Sequence, residues 1–66
     1  MSDDGGTAEE LAGVYAMVRP HLDERQRRIV LGAGAARLGR GGIKAVAGAT
    51  GVHPDTVARG AREAAG

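Results

Sequence analysis

Few residues of this 66-residue chain could do chemistry, and their spacing narrows the choice. The two histidines, His21 and His53, stand far apart in a chain without cysteine, so neither a thiolate site nor a clustered set of metal ligands can be built. No nucleophile, base and orienting group recur at a spacing that would assemble a reactive centre. Gly32-Ala33-Gly34 followed by Gly39, Gly41 and Gly42 imitates a phosphate-cradling loop, but no strand pattern precedes it and no Gly-Lys-Ser/Thr follows. The sequence therefore predicts no enzyme, no metal, no cofactor and no small-molecule substrate.

What remains is charge. Asp3, Asp4, Glu9, Glu10, Asp23 and Glu24 against Arg19 give residues 1–24 a charge of −5. Arg25, Arg27, Arg28, Arg37, Arg40, Lys44, Arg59 and Arg62 against Asp55 and Glu63 give residues 25–66 a charge of +6, so the net +1 conceals two regions of opposite sign. Such an asymmetry suggests contact with nucleic acid or with a membrane surface, although arginines on helices are often no more than a solvated face. No apolar run approaches the roughly 18 residues of a membrane span. The N-terminus carries acidic and glycine residues where a signal peptide would carry basic ones. No membrane partner is expected, and a cytoplasmic location is.

The elements that must position these cations read as helices, because no stretch alternates with period two. Residues 1–6 contain nothing to bury and are expected to form a disordered tail, with one helical domain over 7–66. Thr7 and Glu10 have capping-box spacing, and Leu11, Val14, Tyr15, Val18 and Leu22 recur along one stripe, the strongest periodic signal in the chain. Pro20 ends this helix near Val18 or Arg19. Asp23 and Gln26 form a second capping signal, opening a helix from about Glu24 to Leu38 with Ile29, Val30, Ala33 and Ala36 expected inward. Gly32 and Gly34 each weaken that helix by about 1 kcal/mol relative to Ala, which implies that another helix approaches closely there. Gly39-Arg40-Gly41-Gly42 reads as a flexible break. A short helix over Ile43 to Ala49 follows, then a turn at Thr50-Gly51-Val52. The last helix begins at Pro54, a residue favoured at a first helical position, with Val57, Ala61 and Ala64 or Ala65 facing inward. Leu, Ile and Val number only 12 of 66 residues and Tyr15 is the single aromatic, so the core must be thin.

From residue 42 to 65 the pattern is that of a helix-turn-helix. Val46, Val52 and Val57 lock two helices against a third, Ala47 stays small under the crossing helix, and Gly51 supplies a left-handed turn conformation. With Val57 and Ala61 inward, the last helix shows Asp55, Thr56, Arg59 and Arg62 outward, where they could reach base edges or phosphates of double-stranded DNA. Asp55, Thr56 and Arg59 are expected at bases, and Arg40, Lys44 and Arg62 at phosphates. His53 is expected at the helix start, contacting phosphate when protonated. A bland alanine-rich helical hairpin has the same spacing, so a protein-interaction module without DNA binding stays open. It would dimerise through Leu11, Val14, Tyr15 and Val18, with Met17 as a further candidate contact.

The strings Leu22-Asp23-Glu24-Arg25-Gln26-Arg27-Arg28, Leu38 to Ala47 (LGRGGIKAVA), Thr50-Gly51-Val52 and Thr56 to Glu63 resemble the N-terminal segment of bacterial insertion-sequence transposases with a Rhodopirellula-type DDE domain. The resemblance covers about two-thirds of the chain, from Leu22 to Glu63. It implies a compact helix-turn-helix that recognises mobile-element ends, and with the helix read before it the expected fold is all-α, a small helical bundle of an N-terminal helix plus a trihelical helix-turn-helix. It also implies that the chain is a truncated or remnant transposase, or the recognition module of one. The metal-dependent catalytic domain is not contained in these residues. Members of that family usually carry a serine at His53, a basic or polar residue at Pro54, Asn or Ser at Asp55 and an arginine at Ala58, with larger apolar residues at Ala61 and Ala64. Losing a serine cap costs about 1 kcal/mol, and fewer cations weaken the phosphate attraction that dominates affinity. By this resemblance, DNA binding is inherited in form but reduced in strength.

Overall fold

The structure, a computed structural model, describes residues 7–66, so the expected tail over residues 1–6 lies outside the described part. The chain forms α1 (Thr7–Val18), a 3₁₀ turn (Arg19–His21), α2 (Glu24–Leu38), α3 (Gly42–Thr50) and α4 (Pro54–Ala65). No strand occurs among the described residues, and the fold is an all-α bundle. Each boundary has a chemical cause. Pro20 lacks the amide an α-helix needs, and the backbone tightens there into the 3₁₀ turn, closed by the Leu22 amide on the Arg19 carbonyl at 3.1 Å. The Gln26 amide donates to Asp23 Oδ1 at 2.7 Å and the Asp23 amide to Gln26 Oε1 at 2.9 Å, a complete capping box that starts α2. The capping box expected of Thr7 and Glu10 rests on a side chain outside the described part.

The glycine break between α2 and α3 is a turn closed by a backbone hydrogen bond. Gly39 and Gly41 have φ of 78° and 80°, and the Gly42 amide donates to the Gly39 carbonyl at 2.9 Å. Gly42 is buried, and a Cβ there would overlap the Ala35 carbonyl.

Tyr15, Leu31, Ala35, Val46, Ala47 and Val57 form the core, with Leu11, Val30, Leu38 and Val52 packed on it. The most extensive packing joins α2 to α4. These helices meet backbone to backbone, since a Cβ on Gly32 would overlap Gly60 and Ala61, and one on Gly60 would overlap the Arg28 carbonyl. The close approach expected at Gly32 is therefore present, whereas Gly34 meets the Leu11 side chain. The inward faces differ from expectation. In α2, Leu31, Gly32 and Ala35 are buried, whereas Ile29 and Val30 are half-buried and Ala33 and Ala36 are exposed. In α4, Val57 and Gly60 are buried, Ala61 is half-buried, and Ala64 and Ala65 lie in solvent. Both corrections have one cause: the crossing is centred on glycines, which a count of apolar residues leaves blank.

Candidate nucleic-acid interface

The helix-turn-helix is held by a side chain that the motif arithmetic did not single out. Thr50 Oγ1 donates to the Val46 carbonyl at 2.7 Å and accepts from the Val52 amide at 3.3 Å, so one hydroxyl ties the end of α3 to the residue beyond the turn. Between them Gly51 has φ 80° and ψ 4°, the left-handed conformation that costs other residues about 1 kcal/mol or more. The start of α4 is capped by His53, whose Nδ1 accepts from the Asp55 amide at 3.0 Å. The imidazole thus takes the acceptor role expected of a serine. Protonating Nδ1 would remove that acceptor, so capping and a charged His53 are mutually exclusive at this nitrogen. Pro54 occupies the first helical position, where its missing amide is harmless.

Along α4, Asp55, Arg59 and Arg62 follow at intervals of four and three, which sets them on one helical face. All three are exposed, and buried Val57 and Gly60 occupy the other side. The Asp55 side chain is 94% exposed and that of Arg59 63%. Arg40 in the turn and Lys44 in the first turn of α3 are exposed as well. Thr56 departs from the expected set: it is half-buried on the flank of α4 and lines a cleft with Tyr15, Arg27 and Leu31.

On that same flank Arg28 grips Glu63, with Nε to Oε1 and Nη2 to Oε2 both at 2.9 Å. The paired hydrogen bonds from Arg28 hold the Glu63 carboxyl below its ordinary value of 4.5, against burial, which pushes it up; the positive charges of Arg28, Arg59 and Arg25 add to the lowering. Hydrogen bonding to Glu63 in turn holds Arg28 more firmly protonated. Arg59 Nε lies 3.8 Å from Glu63 Oε2, one turn away on α4. This bidentate bridge fastens α2 to α4 across a span that no local spacing rule reaches.

The expected dimer surface is dismantled in part. Tyr15 is 8% exposed and sits in the core, and Leu11 packs against it and over Gly34. Tyr15 is buried and Leu11 half-buried, because these two positions of the α1 stripe pack on their own chain. Val18 is half-buried, and Val14 at 57% and Met17 at 76% are the open apolar side chains of α1. Among the described residues no three His, Cys, Asp or Glu gather to hold a metal ion, and no helix is long and apolar enough to cross a membrane. Gly32 and Gly34 lie inside α2 rather than in a phosphate loop. No protein-family model, curated protein or solved structure matches the chain.

Proposed function

We propose that this chain is a DNA-binding helix-turn-helix unit of the kind that recognises mobile-element ends, with α4 as the helix entering the major groove. The observation that carries the reading is the exposed Asp55, Arg59 and Arg62 face of α4 opposite its buried side, set within a segment of charge +6. In this reading Asp55 and Arg59 face base edges, Arg62, Arg40 and Lys44 face phosphates, and His53 caps the helix start. Thr56 belongs to the flank, not to the base-reading set.

Titration of labelled duplexes at about 50 and 200 mM salt tests the proposal, because phosphate contacts release counterions and affinity falls steeply over that range. Absence of binding at the lower concentration would overturn it. Arg59→Ala is expected to reduce discrimination among sequences, whereas Arg62→Ala weakens all duplexes alike and lowers the salt slope by about 1. A second reading, a dimerising interaction module, is favoured by exposed Val14 and Met17. Sedimentation over a range of concentrations separates the two: a dimer indifferent to DNA supports the second.

A further inference from the structure

Between the N-terminal halves of α2 and α4 lies an open cleft of ≈ 350 Å³, at the small end of the range for ligand pockets. Several of its side chains carry hydrogen-bond donors with no acceptor among the described residues. Tyr15 is 8% exposed, its hydroxyl bonds to no described residue, and the residue lines this cleft and a second one beside Arg19 and Thr50. Thr56 is half-buried and its hydroxyl is likewise uncommitted. Arg27 is half-buried too; its Nε donates to the Arg19 carbonyl at 2.8 Å, which fixes the guanidinium and leaves both terminal nitrogens uncommitted. Arg28, also in the lining, commits its Nε and Nη2 to Glu63, and exposed Arg59, 3.8 Å from Glu63, adds a further cation. The carboxylate of the lining, Glu24, is on an exposed residue.

A half-buried cleft rich in donors and poor in acceptors fits a ligand that only accepts. Leu31 and Val52 in its wall lower the local dielectric, which strengthens a charge-assisted hydrogen bond. We infer that this cleft binds a phosphate group, held by the Arg27 fork and by the Tyr15 and Thr56 hydroxyls. The group is either a backbone phosphodiester of bound DNA or a free phosphate ester. The first alternative rests on the function proposed above; the second does not.

Inorganic phosphate, titrated at constant ionic strength against chloride, is the first probe, with the Arg27 Nε–H and Thr56 amide followed by NMR. Saturable shifts are expected in the intact chain. Tyr15→Phe, which keeps the buried ring, is expected to weaken phosphate about tenfold, as loss of one hydrogen bond to a charged group does, and Arg27→Gln to abolish saturation. The second arm measures duplex affinity against salt. A slope lowered by about 1 in Arg27→Gln assigns the cleft to a DNA phosphate. An unchanged slope, or a chain that binds no duplex, together with saturable phosphate shifts assigns it to a free ester. Shifts that do not saturate, or that survive both substitutions unaltered, overturn the site and leave the DNA-binding proposal standing on its own test.

Discussion

Helices α1 and α4 both lie against α2, but by opposite means. Helix α4 meets α2 through Gly32 and Gly60, where main chains touch and no side chain intervenes. Helix α1 rests on side chains, with the tip of Leu11 occupying the space a Cβ on Gly34 would need and Tyr15 reaching the core. A flexible side chain yields when its neighbour grows, whereas a carbonyl fixed in a helix cannot. Helix α4 is therefore mounted rigidly, and the acidic helix α1 is mounted adjustably.

The largest break in this contrast is expected from Gly60→Ala. The new methyl would overlap the Arg28 carbonyl, and overpacking against immovable backbone belongs at or beyond the upper end of the usual range, about 3 kcal/mol. At ~0.05–0.15 kcal/mol per residue, that is a third or more of the stability of a domain this size. Thermal melting followed by circular dichroism should show a much lower midpoint or no cooperative transition. A midpoint near that of the parent would mean that the crossing is not rigid.

The same substitution at Gly13 should act with the opposite sign. Nothing lies within 4 Å of a Cβ there, so the residue behaves as an exposed helix-interior glycine and Gly13→Ala should gain about 1 kcal/mol. Gly34→Ala falls between them. Displacing the Leu11 tip offsets the helix-propensity gain, and the melting midpoint should move little.

Glu63→Gln sharpens the rigid side of the comparison through pH. Because the Glu63 carboxyl is held below 4.5 in the folded chain, its contribution is present above that value. It is lost as pH falls through the lowered folded value. The parent should lose stability in that acid window, and Glu63→Gln should show a smaller acid-dependent loss but a lower midpoint at neutral pH. Melting curves from pH 7 down to about 3 check both parts.

The bounds of α2 were legible because Asp23 and Gln26 carry a capping code readable within four residues, and Pro20, Gly51 and Pro54 punctuate the chain by backbone chemistry that neighbours scarcely alter. The inward face of α2 was not legible. Ile29, Val30, Leu31, Ala33, Ala35 and Ala36 surround that helix with apolar groups, so periodicity alone selects no side, and the deciding residue was a glycine. Of the candidate interface, Arg59, Arg62, Lys44 and Arg40 were readable as outward cations. The half-burial of Thr56 was not legible, because the helical wheel did not include α2 on its flank. The Arg28–Glu63 bridge joins residues 35 positions apart, a distance over which sequence spacing carries no geometric information. His53 as a cap was missed because capping preferences favour small oxygen-bearing side chains over imidazole.

The glycine crossing also orders the motions of the chain. A contact between main chains has no side chain reaching ahead of it, so it is rewarded only at full approach, and the turns of α2 and α4 must already be helical when it closes. Helical amides beside Gly32 and Gly60 are thereby assigned to the slowest class of hydrogen exchange, released by global opening, while those of α1 can exchange through a local excursion that leaves α4 in place.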